Sequence, residues 1–441
     1  MRPWRVVPAM AEGRDIRIDV PVLARVEGEG ALHLRIHDGR IAELALRIFE
    51  PPRLFEKFLV GRDCREVPDI VARICGICPV AYQMSAVHAL EAILGIDPGP
   101  WVRAMRRLLY CGEWIESHSL HIHLLAAPDF LGFTSAPEMA QAYPAEVRRG
   151  LRLQAAGNEI IRALGGRSVH PVGVCLGGFH HAPARAEMRV LLERLRAVLP
   201  DAEALVAWCA ALDVGGRERA VTCLALRHPA EYPMNEGALA TDTGLEFASA
   251  DFPAHIEERQ APYSTALHAL LHGEPYLVGP LARLNLNHER LPPVVQGALQ
   301  AAGARLPDRN MFHSMLARAI EILYALHEAV RLLEAYEPAA QPAAPFRPRA
   351  GVGTAATEAP RGTLWHRYEL DADGRILEAR IVPPTSQNQA CIEADLRAAL
   401  ETYGLQRPPH ELRAHAEQVI RNYDPCISCA THFLELTVEQ G

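Results

Sequence analysis

The chain has 441 residues and a formal charge of −8, with 45 Lys and Arg against 53 Asp and Glu. Its 49% hydrophobic and 22% charged residues are those of an ordinary globular protein, and an acidic balance with no basic patch argues against nucleic-acid binding. No run of about 18 apolar residues is present, so no transmembrane segment is expected, and MRPWRVVPAM lacks the apolar stretch of a signal peptide.

Those absences predict a cytoplasmic protein. Length alone allows two or three domains, or one large intertwined one. Lys57 is the only lysine, so the positive charge is almost all arginine, which suits buried ion pairs.

Residues 15–50 read as strands. DIRIDV alternates, and two further alternating runs meet at Asp38-Gly39, a strong hairpin signal. A short amphipathic helix is expected over 53–62 and longer helices over 80–94, 100–126, 147–164, 183–213 and 309–335. Residues 214–308 carry many Pro, Gly and Asn breaks and no clear period, and 339–351 reads as a Pro/Ala-rich loop. A second hairpin is expected over 363–383, turning at Asp373-Gly374, then helices over 390–402 and 411–421. The order predicts a helix-rich α+β protein: a central long-helix bundle over 80–335, with small β-hairpins or sheets near the N-terminus and in the C-terminal third.

The ten cysteines carry the strongest signal. Cys64, Cys111, Cys175, Cys209, Cys223 and Cys391 stand alone and read as small buried hydrophobes. The other four form two C-x-x-C pairs: Arg73-Ile-Cys75-Gly-Ile-Cys78-Pro79, and Asp424-Pro425-Cys426-Ile-Ser-Cys429-Ala-Thr-His432. Two-residue spacing lets both sulfurs of a pair address one metal, and four soft thiolates favour zinc, iron or nickel over magnesium or calcium. Four-cysteine zinc sites usually close over about 15–20 residues, whereas here the pairs lie at opposite ends of the chain. Spacing and softness leave a catalytic metal site and a structural zinc site both open. Redox use is weaker, since neither pair follows a strand in a βαβ pattern. A site built from both ends predicts one intertwined domain over 1–441, with 390–432 as the C-terminal metal-motif segment.

Both motifs resemble the signatures of the nickel–iron hydrogenase large subunit, and RICGICPVAYQMSAVHALE is similar to its cytosolic, pyridine-nucleotide-linked subgroup. The resemblance continues through Arg25-Val-Glu27-Gly28, Phe55-Glu56 with Gly61-Arg62-Asp63, Gly165-Gly166-Arg167 with His170-Pro171, Ala359-Pro360-Arg361-Gly362, and Pro384-Thr385. It implies reversible cleavage of H2 to protons and electrons. It further implies a nickel–iron centre carrying carbon monoxide and cyanide on the iron, with Cys75 and Cys426 as terminal nickel ligands and Cys78 and Cys429 bridging. Dihydrogen is nearly non-polar and a very weak acid, so splitting it needs both a metal centre and a base.

The same resemblance makes Glu27 the first proton acceptor, although on position alone it reads as a solvated strand carboxylate. Arg361 is expected over the open metal position, after Pro360, with Asp129 and Asp424 pairing with it and orienting it. Thr385, after Pro384, is expected to hydrogen-bond an iron cyanide. Glu56, His432 and a backbone carbonyl near Ile381 are expected to bind a separate magnesium or iron ion. Tyr82 stands where many members have histidine. Residues 433–441 are either the tail that a C-terminal endopeptidase commonly removes in the family or a short tail that this subgroup keeps.

His118, His121 and His123 are expected to pack rather than bind metal, because their spacing puts at most two on one helix face. No four-cysteine iron–sulfur run and no G-x-G-x-x-G nucleotide turn is present. Electrons are therefore expected to leave through an iron–sulfur small subunit. The subgroup also implies flavin- and iron–sulfur-containing diaphorase subunits, NADP or NAD as acceptor, and maturation factors. A hydrogen sensor with the same site and a structural zinc protein are the alternative functions. A related quinone-reducing respiratory subunit lacks the metal cysteines that this chain retains.

Overall fold

The computed structural model describes residues 15–216 and 218–431. Three antiparallel strands open it, Ile16–Val20, Gly30–His37 and Arg40–Ile48, with the middle one paired to both others. Asp38 and Gly39 both take positive φ, 49° and 72°, as a type I′ hairpin turn requires.

The helical core follows. Pro79–Leu94, Gly99–Leu120, Pro144–Gly165, Arg185–Ala211 and Ser314–Glu334 are its long members. The second continues as a π-helical turn over His121–Ala126, so the helical run reaches the expected end at 126. It packs against both Pro144–Gly165 and Ser314–Glu334. At the first of these crossings a Cβ on Gly157 would meet the Gly112 carbonyl at 2.5 Å, so two glycines let the backbones touch.

Two expectations are corrected. The breaks in 214–308 hide a four-stranded sheet built from Thr222–Arg227, Ala238–Thr241, Glu246–Phe247 and Tyr276–Leu277, a hairpin over 256–271, and helices Pro280–Asn287 and Pro293–Ala301. The second hairpin has a third strand, Gly351–Ala359, ahead of Gly362–Leu370 and Ile376–Val382. Its Gly, Ala and Thr residues carry little alternation, because most of the strand is buried. The last long helices, Pro384–Tyr403 and Pro409–Asn422, each start on a proline at the first helical position.

Chain ends and middle share one apolar cluster, reaching from Ile16 to Ala430. The N-terminal third also bonds directly to the C-terminal third: Gly61 N–H donates to Ile376 O, Ile376 N–H to Arg62 O and Ile427 N–H to Glu27 O. The expected buried arginine pairs are present, among them Arg106 with Glu91 and Arg283 with Glu321. Among the described residues no helix is long and apolar enough to cross a membrane.

Candidate metal centre

Cys78 ends the first cysteine turn directly before the helix that starts at Pro79, and Cys426 caps the short helix Ile427–Ala430. The four sulfurs of Cys75, Cys78, Cys426 and Cys429 lie within 4.8 Å of one another, and all four residues are buried. Cys75 Sγ is 3.5 Å from Cys426 Sγ, and Cys78 Sγ is 3.6 Å from Cys429 Sγ. These separations are far beyond a disulfide bond, and all four are free thiols. Hydrogen bonds from Cys426, Cys429 and Cys78 hold the Cys75 thiol well below its ordinary pKa, while burial pushes Cys426 well up. A dry four-sulfur cluster cannot carry four negative charges unaided, and a soft divalent metal is the partner that relieves this. The donor set therefore fits the nickel–iron pair. It is the only metal-ligand group of this kind among the described residues.

Three contacts fix the two turns together. The Arg53 guanidinium donates to Ile74 O at 2.5 Å and also to Ser428 O, so one side chain straps both cysteine turns. Glu27 and Cys426 form a parallel backbone bridge. From the helix Gly99–Leu120, the Glu113 carboxylate accepts the N–H groups of Val80 at 2.6 Å and Ala81 at 3.0 Å. That carboxylate caps the helix start beside Cys78, where no local side chain does.

The Glu27 carboxylate accepts from Cys426 Sγ and from Ser428 N–H, both at 3.0 Å. Burial, then the Cys75 charge, raises its pKa, against the lowering effect of those two hydrogen bonds and of Arg361. Arg361 is buried and forms a forked pair with Asp424, Nε to the carbonyl at 2.8 Å and Nη2 to Oδ1 at 3.0 Å. Its Nη1 has no hydrogen-bond partner among the described residues. The charges of Cys426, Cys78 and Cys75 act on this guanidinium. A donor is thus held beside the sulfur cluster with one face uncommitted.

Asp129 is a correction. It does not orient Arg361; Arg25 and Arg421 take its two oxygens instead. It ties the N-terminal segment to the helix Pro409–Asn422, one layer outside the site. Thr385 Oγ1 accepts the Cys426 N–H at 3.0 Å, which leaves its hydroxyl hydrogen to donate elsewhere. Pro384 starts the helix that carries Thr385, and Pro360 occupies the turn before Arg361. Glu56 Oε1 accepts the Ile381 N–H at 2.6 Å, so two parts of the expected second ion site meet. His432 and residues 433–441 lie outside the described residues. Tyr82 is buried, and after burial the Cys429, Cys78 and Cys426 sulfurs raise its pKa.

The three histidines pack as expected. His118 Nε2 lies 2.9 Å from Glu321, His121 Nε2 lies 2.9 Å from Arg421 O, and His123 Nδ1 lies 2.9 Å from Ser119 O. Five of the six lone cysteines are buried, and Cys175 is half-buried.

Sequence reasoning missed Arg53, Glu113, Glu116, Ser428 and Glu50. Glu116 is buried; desolvation raises its pKa, Arg361 lowers it, and Cys75 raises it. It comes from the same helix as Glu113, one turn away. A Glu-x-x-Glu spacing in a helical pattern was the available signal. The Ser428 hydroxyl donates to Glu50 Oε2 at 2.9 Å. No sequence pattern announces that pair.

Comparison with known proteins settles the family. The model of the nickel-dependent hydrogenase family matches residues 53–150 and 233–432. The chain belongs to the nickel-dependent hydrogenase family. The alpha subunit of sulfhydrogenase 1 from Pyrococcus furiosus is 34% identical over 95% of this chain and 98% of its own length. The NAD-reducing hydrogenase HoxS subunit beta from Cupriavidus necator is 29% identical over 95% of each chain. A crystal structure of NAD+-reducing [NiFe]-hydrogenase in the H2-reduced state superposes with a TM-score of 0.86 at 29% identity, covering 95% of this chain and 99% of the other. This hydrogenase chain is a large, catalytic subunit, an α+β oxidoreductase acting on H2. The structural-zinc alternative falls with that assignment.

Proposed function

We propose that this chain cleaves dihydrogen reversibly on a nickel–iron pair held by Cys75, Cys78, Cys426 and Cys429, with carbon monoxide and cyanide on the iron. The four thiolates would hold the pair, Cys75 and Cys426 as nickel ligands and Cys78 and Cys429 as ligands shared by the two metals. When bound, the metal pair supplies the Lewis acidity and electron storage that protein side chains lack. The observation that carries this reading is Glu27 Oε2, 3.0 Å from Cys426 Sγ at the edge of the four-sulfur cluster.

Glu27 takes the proton from the Cys426 sulfur. A carboxyl with a raised pKa is suited to both accept and release it. The Ser428 hydroxyl and Glu50 lie next to Glu27. Arg361, fixed by Asp424, has an uncommitted Nη1 to offer the reacting molecule, and Asp129 keeps Arg25 and Arg421 in place. Thr385 has a hydroxyl hydrogen to offer an iron cyanide. Glu56, Ile381 and His432 are the residues that would hold a magnesium or iron ion, for which carboxylate, carbonyl and imidazole are acceptable donors.

Electrons leave through an iron–sulfur small subunit. Flavin-bearing diaphorase subunits then pass them to NAD or NADP in the cytoplasm; two of the similar proteins are named as NAD-reducing. Maturation factors load the metals. The test is to supply H2 to the purified complex with a viologen dye and, separately, with NAD and NADP. Reduction of dye and nucleotide is expected. Dye reduction alone removes the nucleotide-linked reading, and reduction of neither overturns the hydrogenase reading.

A further inference from the structure

Arg361 sits on an unusual turn. Strands Gly351–Ala359 and Gly362–Leu370 pair up to Ala359 with Gly362, so Pro360 and Arg361 alone connect them. Two-residue hairpin loops favour type I′ or II′ turns, which need a positive φ at the first central residue. Proline cannot adopt that, and neither Pro360 nor Arg361 has a positive φ. The loop is therefore not one that strand pairing selects by itself. Contacts from outside the hairpin therefore bear on its conformation.

Arg283 makes such contacts. Its Nη1 donates to Ala359 O at 2.8 Å and its Nη2 to Pro360 O at 3.0 Å, the two carbonyls immediately before Arg361. Its own position is fixed by Glu321, through Nε at 2.8 Å and Nη2 at 2.7 Å, and by Glu358 through Nη1 at 3.0 Å. The guanidinium lies 4.5 Å from the centre of the Trp114 ring. All of it is buried, with Arg283, Glu321 and Glu358 at 0% exposure. A planar five-donor fork can serve two carboxylates and two carbonyls at once; an ammonium cannot. We infer that Arg283 is a positioning residue for Arg361, clamping the Pro360-Arg361 turn so that the Arg361 guanidinium stays beside the sulfur cluster. This rests on the reading of Arg361 given above.

The test is a double-mutant cycle in the purified complex, combined with amide hydrogen exchange. Arg283→Lys keeps the charge that balances Glu321. Amides of the segment 358–363 are expected to exchange roughly tenfold faster in it, with nickel and iron content unchanged. Dye-linked H2 oxidation is expected to fall roughly ten- to a hundredfold, as a small misplacement of a reacting group does. In an Arg361→Lys background, Arg283→Lys should then cost less than about twofold more. Losses that multiply, or unchanged exchange at 358–363, overturn the inference. If Arg361→Lys keeps full activity, the reading of Arg361 fails while exchange still decides the clamp. If Arg283→Lys does not fold, Glu321→Gln, which loosens Arg283 without removing it, should show the same local exchange. Its absence overturns the clamp.

Discussion

Glu27 and Cys426 are joined twice, by the carboxylate accepting from the sulfur at 3.0 Å and by a parallel backbone bridge between the two residues. The loop between the first two strands thereby carries the carboxylate, and the last turn of the described chain carries the sulfur. Neither end can shift without moving the other. The proposed proton transfer therefore depends on long-range folding.

Glu27→Gln keeps the shape and removes the base. Nickel and iron content should stay at the wild-type level, while exchange between H2 and D2O falls by roughly 10²–10⁴, the usual worth of a positioned general base. Isotope exchange followed by mass spectrometry checks this, and unchanged exchange contradicts the relay role.

Cys75→Ser replaces a soft thiolate by a hard hydroxyl. The purified variant should lose nickel, measured by elemental analysis, and H2 oxidation with it. Arg53→Gln is a milder version of the same experiment. It cuts the strap from Ile74 O to Ser428 O and should reduce nickel retention without abolishing it.

Gly28→Ala tests the contact between chain ends. Gly28 has φ +87°, and a Cβ there would lie 2.7 Å from Ile427 Cβ and 2.9 Å from Ser428 N. Strain and crowding together should cost about 1–3 kcal/mol in denaturant unfolding. A stability equal to wild type contradicts the described packing.

Acid should weaken the buried cluster at Glu321. Although burial raises its pKa, Arg283 and the hydrogen bond with His118 bring it down to about 2, below its ordinary 4.5. Arg283, His118 and Tyr232 face it from three elements, with Arg318 on its own helix. A depressed carboxyl pKa contributes stability that is full above 4.5 and lost as pH falls toward 2, a few kcal/mol in all. Unfolding followed from pH 7 to pH 2 should show that decline, and Glu321→Gln should be less stable at pH 7 with a flatter profile below 4.5.

Part of this was legible in the sequence for a physical reason. The four cysteines and Thr385 are recognisable because metal chemistry fixes residue type and local spacing. Glu27 and Arg361 follow from short motifs whose neighbours are equally constrained. Asp129 misled because its partners, Arg25 and Arg421, are 104 and 292 residues away. Glu113 and Glu116 were hidden inside a helical pattern whose burial depends on three neighbouring elements. The strand Gly351–Ala359 was hidden for a related reason. Buried against helix Pro79–Leu94, it has no polar face to alternate with.

The central claim is a nickel–iron pair held by four thiolates from both ends of one chain. Anaerobic purification of the complex, with nickel and iron analysis and an infrared spectrum of the same sample, tests it most directly. Stoichiometric nickel and iron with the bands of iron-bound carbon monoxide and cyanide is the predicted result. Zinc alone, with no such bands, would contradict it.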